Sequence, residues 1–163
     1  MREIILIAHN VRSTYNVGSL LRTADGLGVK EVFLTGYTPY PQAPNDERLP
    51  YIAKKVDAQI HKTALGAEKQ IAWRHSNALM PVLDELRRMD FTIVALEQHP
   101  RAVSLSDFTS NRRLALIVGR EVEGIEAEVL AASDLIVEIP MRGHKESFNV
   151  ASAAAMALYV LTA

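Results

Sequence analysis

Residues 139–157 read IPMRGHKESFNVASAAAMA, a stretch that joins the end of an apolar run to a polar loop and then to an uncharged helix. The loop contains Gly143, and Ser147 and Asn149 stand where the helix begins. Helix capping would account for Ser147, and a turn would account for Asn149. So many polar groups directly before an apolar helix are costly without a ligand, and we therefore predict a binding site at this loop.

The last helix carries no charge, because no charged residue occurs between Phe148 and Ala163. The run is too short to span a bilayer. A helix that is apolar all round must be buried on most sides, and a domain of 163 residues can hardly enclose its own C-terminal helix. We expect this helix to form the interface of a homodimer, with burial inside one chain as the alternative.

The rest of the chain alternates between short apolar runs and amphipathic segments, which predicts an α/β fold with a parallel sheet flanked by helices. Strands are predicted at residues 4–8, 31–35, 91–96, 114–118 and 135–139. Helices are predicted at residues 16–27, 76–89 (with Ser76 as N-cap), 123–132 and 149–161. Residues 50–69 are expected to be partly helical, and residues 37–50, which hold four of the seven prolines, to form a long loop. No repeat or boundary divides the chain, so residues 1–163 are predicted to form a single domain.

The composition excludes several classes of protein. With 48% apolar and 23% charged residues, the chain is typical of a globular domain. The absence of cysteine excludes disulfides, thiolate catalysis and cysteine-ligated metal centres, and we expect no metal. The N-terminal apolar run lacks a signal-peptide cleavage site, so we expect a cytoplasmic protein with no membrane segment.

The net charge of −1 does not indicate a nucleic-acid partner, but the charges are unevenly distributed. Residues 48–75 contain six lysines and arginines against two acidic residues, whereas residues 84–138 contain eleven acidic residues against six basic ones. This segregation permits a basic face, and an ordinary solvated surface is the alternative.

A second candidate site lies in residues 16–28, NVGSLLRTADGLG, where a helix follows the first strand. The N-terminus of such a helix offers free N–H groups to an anion, and the guanidinium of Arg22 suits phosphate. The alternative is that Asn16 is only a cap and Arg22 an ordinary surface residue. The chain has neither a G-x-G-x-x-G fingerprint after the first strand nor a phosphate-binding P-loop.

A third candidate site is residues 114–124, LALIVGREVEG, in which a buried strand runs directly into Gly119. Glycine lets the backbone approach a ligand closely, and ligands of parallel sheets sit at the carboxyl ends of strands. Glu121 would then lie at the rim of the site. A tight turn with a solvated glutamate is the alternative.

These three segments, in this order, resemble the three motifs of the SpoU (TrmH) family within the SPOUT superfamily of RNA methyltransferases. The third motif, I-P-M-x-G-x-x-x-S-x-N-V-x-x-A-x-A, is highly specific. The others match the N-x-G-x-x-x-R-T-A-D and G-x-E-x-x-G stretches of the family. The resemblance covers essentially the whole chain, without an appended RNA-binding domain. Phe148 departs from the leucine that is frequent there, which is a conservative change.

The resemblance implies a deep trefoil knot at the C-terminus, which nothing in the periodicity indicates, and S-adenosylmethionine as the cofactor. It implies that the cofactor is held by the segments after three strands, with Ser147 and Phe148 closing the pocket. The residues that it assigns to the cofactor are Leu96, Glu97, Gly119, Ile139, Met141, Ser147 and Phe148.

The resemblance further implies methyl transfer to a ribose 2′-hydroxyl of tRNA or rRNA, with Arg22 in the central role. A guanidinium stays protonated in proteins, so we expect Arg22 to grip a phosphate and stabilise developing alkoxide charge rather than remove a proton. The residues implied for catalysis are Arg22, Asn16, Glu121, Ser147 and Asn149.

The expected partners are RNA, with tRNA favoured over rRNA because the chain is so minimal, and a second copy of the chain. RNA follows from the reaction, since the 2′-hydroxyl separates RNA from DNA. The residues expected to contact RNA are Arg12, Arg22, Lys62, Arg142 and Lys145. For Lys62 an ordinary exposed helix is the alternative.

Three competing functions remain at this stage. A methyltransferase of the same fold that modifies a base nitrogen is disfavoured by the intact Asn16, Arg22 and Glu121. A module that binds RNA or cofactor without catalysis is disfavoured by the complete set of polar motif residues. A small-molecule enzyme that uses a nucleotide is disfavoured by the missing phosphate-loop glycines.

Overall fold

Seven strands form one parallel sheet in the computed structural model, which describes residues 2–109 and 113–163. The strands are β1 (Glu3–His9), β2 (Glu31–Thr35), β3 (Trp73–Ser76), β4 (Thr92–Leu96), β5 (Val103–Ser104), β6 (Arg113–Val118) and β7 (Leu135–Glu138). Their order across the sheet is β3-β2-β1-β6-β4-β7-β5, and every neighbouring pair is parallel. The predicted α/β class with a parallel sheet is confirmed.

The central strands are apolar throughout because helices cover both faces of the sheet. Leu6 of β1 packs into a core with helices from one face, while Ile5 and Ile7 pack into a second core on the other face. The first core is covered by α1 (Thr14–Gly26), α2 (Pro50–Ala64) and α5 (Val150–Thr162), and the second by α3 (Met80–Arg88) and α4 (Ala127–Ala132).

Two short edge strands, β3 and β5, have no counterpart in the predicted elements. β3 is only partly buried and reads Trp-Arg-His-Ser, and β5 has two residues, so neither has an apolar run to reveal it. The predicted N-cap Ser76 is wrong, because Ser76 ends β3 and its hydroxyl donates to the carbonyl of Ala78. The helix predicted from residue 123 begins only at Ala127, since Gly124 N closes a tight turn onto Arg120 O at 3.2 Å.

The long loop between β2 and α2 is held in place by Arg48. Its guanidinium donates to the carboxylate of Asp46 at 2.9 and 2.6 Å and to the carbonyls of Tyr40 and Pro41. It also lies over the ring of Tyr40, 3.6 Å from the centroid, and that ring stacks on His75. These hydrogen bonds hold the pKa of Asp46 well below its ordinary value.

Helix α5 is buried on one side only. Asn149 caps its first turn by accepting from Ala151 N and Ser152 N, and Arg2 donates to the last carbonyl, Ala163 O, at 2.8 Å. Residues such as Leu158 pack into the core, whereas an uncharged opposite face is open to solvent and includes Met156, Tyr159 and Val160. Across the described residues, no helix combines the length and the hydropathy that crossing a bilayer requires.

Candidate functional site

The carboxyl ends of β4, β6 and β7 meet at one edge of the sheet and enclose a pocket. The pocket holds about 630 Å³ of empty space, part of it open to solvent. Its lining combines apolar side chains and glycines with five polar or charged residues. The lining residues are Leu96, Glu97, Gln98, Val118, Gly119, Arg120, Glu121, Val122, Gly124, Ile139, Ser147, Phe148, Val150 and Ala153.

Glu97 ties the loops around this pocket together. One of its carboxylate oxygens accepts from Ile125 N at 2.9 Å, in the loop after β6. Gly124 lies so close that an added Cβ would stand 2.2 Å from the same oxygen, and its φ of +72° also favours glycine. Gln98 donates to Glu146 O at 2.8 Å, in the loop after β7. The three loops therefore form one connected wall.

Asn16, Glu121 and Asn149 form a hydrogen-bonded chain next to the pocket. Asn16 Nδ2 donates to Glu121 Oε1 at 3.2 Å, and Asn149 Nδ2 donates to Asn16 Oδ1 at 3.1 Å. Each residue comes from a different one of the three candidate segments. These two hydrogen bonds fix which end of the Asn16 amide is the donor and which is the acceptor.

Glu121 is an orienting anion. Burial would raise the pKa of its carboxyl, but hydrogen bonds from Ser13 N, Arg12 N and the Asn16 amide outweigh burial and lower it. The carboxylate is therefore ionised at neutral pH, and its oxygens already accept three hydrogen bonds. This arrangement suits it to holding Asn16 rather than to removing a proton.

Two helix N-termini converge on the same place. Asn16 lies in the first turn of α1, and Asn149 is the cap of α5, so the hydrogen bond between their side chains joins the two helix starts. Helix N-termini carry partial positive charge and unsatisfied N–H groups. Their convergence makes the region beside Asn16 and Asn149 favourable for an anion such as a phosphate.

The structure brings most of the residues expected at the cofactor to the pocket. Those that line it are Leu96, Glu97, Gly119, Ile139, Ser147 and Phe148, together with Glu121. Met141 is half-buried and stands outside the lining that the described residues form.

Arg22 lies apart from this group. It is exposed on α1, six residues beyond Asn16, which corresponds to about 9 Å along the helix axis. Within the described part of the chain it has no hydrogen-bond or ion-pair partner and lines neither this pocket nor the groove described next. One chain by itself therefore does not bring Arg22 to Asn16, Glu121 and Asn149.

Arg12, expected at the RNA, lies in a shallower groove beside the pocket. This groove is lined by Arg12, Ser13, Tyr37, Glu121, Val122 and Glu123, so it shares Glu121 and Val122 with the pocket. Arg142 and Lys145 are exposed in the loop before α5. Lys62 is exposed on α2, and the neighbouring Thr63 hydroxyl donates to Tyr15 O at 2.8 Å, at the start of α1.

Sequence reasoning did not identify Tyr37 or the partly buried polar cluster of His9, Asn10 and Glu126 next to it. Asn10 Nδ2 donates to Glu126 Oε1 at 2.8 Å, and burial lowers the pKa of His9 although Glu126 opposes this. The one signal available was a His-Asn pair directly after an apolar strand. Among the described residues, no three His, Cys, Asp or Glu side chains are placed to hold a metal ion.

Comparison with known proteins finds one matching family and several relatives. The SpoU rRNA Methylase family model matches residues 3–159. The chain is 27% identical over 159 residues to a tRNA (guanosine(18)-2′-O)-methyltransferase of Borreliella burgdorferi, covering 97% of this chain and 65% of that protein. It is 30% identical over 156 residues to the 23S rRNA (guanosine-2′-O-)-methyltransferase RlmB of Bordetella pertussis, covering 96% and 58%.

The fold also matches a solved structure. The SpoU methyltransferase AviRb from Streptomyces viridochromogenes, solved in complex with AdoMet, superposes with a TM-score of 0.80 at 24% identity and covers 99% of this chain and 61% of that one. The chain thus spans between 58% and 65% of the length of these three proteins.

Proposed function

Because the chain belongs to the SpoU rRNA methylase family, we propose that it transfers a methyl group from S-adenosylmethionine to a ribose 2′-hydroxyl of RNA. The observation that carries this proposal is the hydrogen-bonded chain of Asn16, Glu121 and Asn149 beside the pocket. It presents oriented amide groups and two helix N-termini beside the pocket, an arrangement that suits the sugar and phosphate of a nucleotide. The names of the relatives, which are ribose methyltransferases of tRNA and rRNA, support the same reaction.

The pocket suits S-adenosylmethionine. Leu96, Val118, Ile139 and Phe148 offer apolar surfaces for a flat adenine, and the loops that join them expose backbone polar groups at the sheet edge. Ser147 adds a hydroxyl at the mouth. The neighbour AviRb was solved with this cofactor and has the same fold. When bound, the cofactor supplies an electrophilic methyl group on a sulfonium, so the protein needs mainly to align the ribose and manage one proton.

Asn16 and Asn149 orient the ribose in this proposal. Asn16 has one Nδ2 hydrogen and one Oδ1 lone pair beyond those used within the hydrogen-bonded chain, and these can hold the hydroxyls of the sugar. Glu121 keeps Asn16 in this orientation. Alignment of this kind is worth up to about 7–11 kcal/mol of a barrier. The proton leaves to water or to an RNA phosphate, because the hydrogen bonds that lower the pKa of Glu121 make its carboxylate a weak base.

Arg22 completes the site from a second copy of the chain. Its guanidinium grips the phosphate next to the reacting ribose and stabilises charge that develops on the 2′-oxygen. The geometry of one chain leaves Arg22 outside the site, whereas α5 offers an uncharged exposed face around Tyr159 that a partner would cover. We therefore propose a homodimer through α5, with each site assembled at the interface.

This arrangement is tested by mixing two inactive variants, Arg22→Ala and Asn149→Ala. In a mixed dimer, one site takes Asn149 from the Arg22→Ala chain and Arg22 from the Asn149→Ala chain and is intact, while the other site carries both changes. Random pairing makes about half of the dimers mixed, so activity should return to about a quarter of that of the wild-type protein. Recovery fails if both residues act within one chain. Each variant alone, refolded in the same way, is the control.

We also propose that the C-terminal segment is knotted. Hydrogen bonds from Ile125 to Glu97 and from Gln98 to Glu146 join the loops after β4, β6 and β7, and β6 lies between β1 and β4 in the sheet. Such crowding is what a chain threaded through its own loops requires. A crystal structure with continuous density over residues 97–150 tests the threading. A chain trace in which the C-terminal segment does not pass through a loop would contradict the knot.

The experiment that tests the function is methyl transfer from radiolabelled S-adenosylmethionine to tRNA and to rRNA, which also tests our preference for tRNA. We expect incorporation into RNA that falls at least about a hundredfold in Asn16→Ala. Cofactor binding, measured by calorimetry, should persist in that variant. Cofactor binding without transfer to any RNA would instead indicate a binding module, and transfer that is unaffected in Asn16→Ala would contradict the role of the Asn16, Glu121 and Asn149 chain.

A further inference from the structure

Tyr37 stands on the rim of the groove that adjoins the reacting site. Its side chain is among the exposed large hydrophobic ones, at 54% exposure, although it directly follows the buried strand β2. The groove is also lined by Arg12 and Glu123, and it meets the pocket at Glu121 and Val122. An aromatic ring is therefore presented to solvent a short distance from the place where a ribose would bind.

Hydrogen bonds with Asn10 and two residues with positive φ angles fix the backbone at Tyr37. Tyr37 N donates to Asn10 Oδ1 at 3.0 Å, and Asn10 N donates to Thr35 O at 3.1 Å. Gly36 has a φ of +66°, and an added Cβ would stand 1.9 Å from Asn10 Oδ1, so only glycine fits. Asn10 itself has a φ of +56°, a conformation that costs a non-glycine residue of order 1 kcal/mol.

Next to this turn lies the cluster of His9, which is buried, with Asn10 and Glu126, which are partly buried. His9 Nδ1 pairs with the Thr35 hydroxyl at 2.9 Å, and His9 Nε2 lies 3.7 Å from Glu126 Oε2. Glu126 Oε2 is buried and lacks a hydrogen-bond partner among the described residues. No member of the cluster lines the pocket or the groove as these are defined by the described residues. The cluster meets the groove through the turn carrying Tyr37, and it meets the pocket through Glu126, whose Oε1 lies 3.6 Å from Arg120 Nε.

We propose that the ring of Tyr37 is a stacking platform for a nucleobase of the RNA, at or next to the nucleotide whose ribose is methylated, and that the cluster of His9, Asn10 and Glu126 positions it. This inference rests on the proposed function. An aromatic face accepts any base, and Arg12 at the same groove offers a charge to the adjoining phosphate. Tyr37 thus contributes to RNA affinity, while the chemistry stays with the groups at the pocket.

Substitution of Tyr37 tests the platform. Loss of base stacking costs about 1–3 kcal/mol per base, so Tyr37→Ala should raise KM for a pool of transcribed tRNAs about 5- to 150-fold. The kcat and the affinity for S-adenosylmethionine should stay within about twofold, because the ring touches neither the pocket nor its wall. Tyr37→Phe keeps the ring and should behave like the wild-type protein. Tyr51→Ala, another exposed tyrosine that lines neither cavity, is the matched control.

A second readout does not depend on activity. In Tyr37→Trp the indole should be quenched when the same tRNA pool is added, whereas a Tyr51→Trp variant should respond no more than the wild-type protein with its single Trp73. An unchanged KM in Tyr37→Ala, or the absence of quenching in Tyr37→Trp, would overturn the platform. If tRNA quenches the fluorescence of Tyr37→Trp but the wild-type protein transfers no methyl group, the proposed reaction is overturned and the platform still stands.

Discussion

Replacement of Glu121 by glutamine tests the orienting chain most sharply, because the two side chains have nearly the same shape. In the native protein Glu121 Oε1 accepts from Ser13 N at 2.9 Å and from Asn16 Nδ2 at 3.2 Å, and Oε2 accepts from Arg12 N at 3.1 Å. Glutamine has one acceptor oxygen, so its NH₂ group must face a backbone N–H. The variant loses one charge-assisted hydrogen bond and weakens two others.

The expected loss of stability is about 1.5–3 kcal/mol, the usual worth of a hydrogen bond to a charged group. For a chain of this length it corresponds to a fall of about 3–12 °C in Tm. Activity should fall further than stability, by about a hundredfold in kcat for tRNA methylation, because Asn16 is no longer held in one orientation. Urea denaturation and single-turnover methyl transfer measure the two effects. Glu47→Gln, an exposed loop carboxylate, is the control for stability.

The pH dependence separates this reasoning from a general loss of packing. Hydrogen bonds lower the pKa of Glu121 in the folded chain below its ordinary value of 4.5. Its stabilisation is therefore fully present above pH 4.5 and is lost as the pH falls through the lower folded-state value. The difference between wild type and Glu121→Gln should be constant from pH 7.5 to 5 and shrink below about pH 4.5. A variant as stable as the wild type at pH 7, or a difference that persists unchanged at pH 3.5, would refute the argument.

Three further outcomes are expected. Arg48→Ala should lower the free energy of unfolding by about 1–3 kcal/mol by urea denaturation and speed hydrogen exchange in residues 37–50, and Arg48→Lys should restore little of it, since lysine lacks the fork that grips Asp46. Burial lowers the pKa of His9 and of His75, so the free energy of unfolding should fall as the pH drops below 6.5. The fall is at most about 1.4 kcal/mol per pH unit for each histidine. A free energy of unfolding that stays constant between pH 6.5 and 5 would contradict this. Tyr159→Asp should give a monomer by light scattering and abolish methyl transfer, whereas Tyr159→Phe should do neither, and a fully active monomer would remove α5 from the interface.

The sheet was largely predictable because its central strands are apolar on both faces. Apolar runs such as residues 4–8 and 114–118 alternate with amphipathic segments along the sequence, and buried parallel strands are the simplest explanation of that pattern. The edge strands escaped detection because Trp73–Ser76 is only partly buried and Val103–Ser104 has two residues. The boundary of α4 was misplaced because residues 120–124 form a turn with helix-forming side chains.

Sequence motifs mark the three residues of the hydrogen-bonded chain, whereas no motif marks the residues around Tyr37, which long-range contacts bring together. Asn16, Glu121 and Asn149 were expected to cooperate, and their side chains form one hydrogen-bonded chain. Tyr37 and its supporting cluster depend on a hydrogen bond from Asn10 to Glu126, which are 116 positions apart. Neither periodicity nor local spacing carries information about such a pair.

The position of the transferred methyl group tests the central claim most directly. RNA labelled by the protein with radioactive S-adenosylmethionine is digested with alkali, which needs a free 2′-hydroxyl to cleave the neighbouring phosphodiester. The proposed reaction predicts that the label appears in alkali-resistant dinucleotides and, by mass spectrometry, in a 2′-O-methylnucleoside. Label in mononucleotides that carry a methylated base would contradict it.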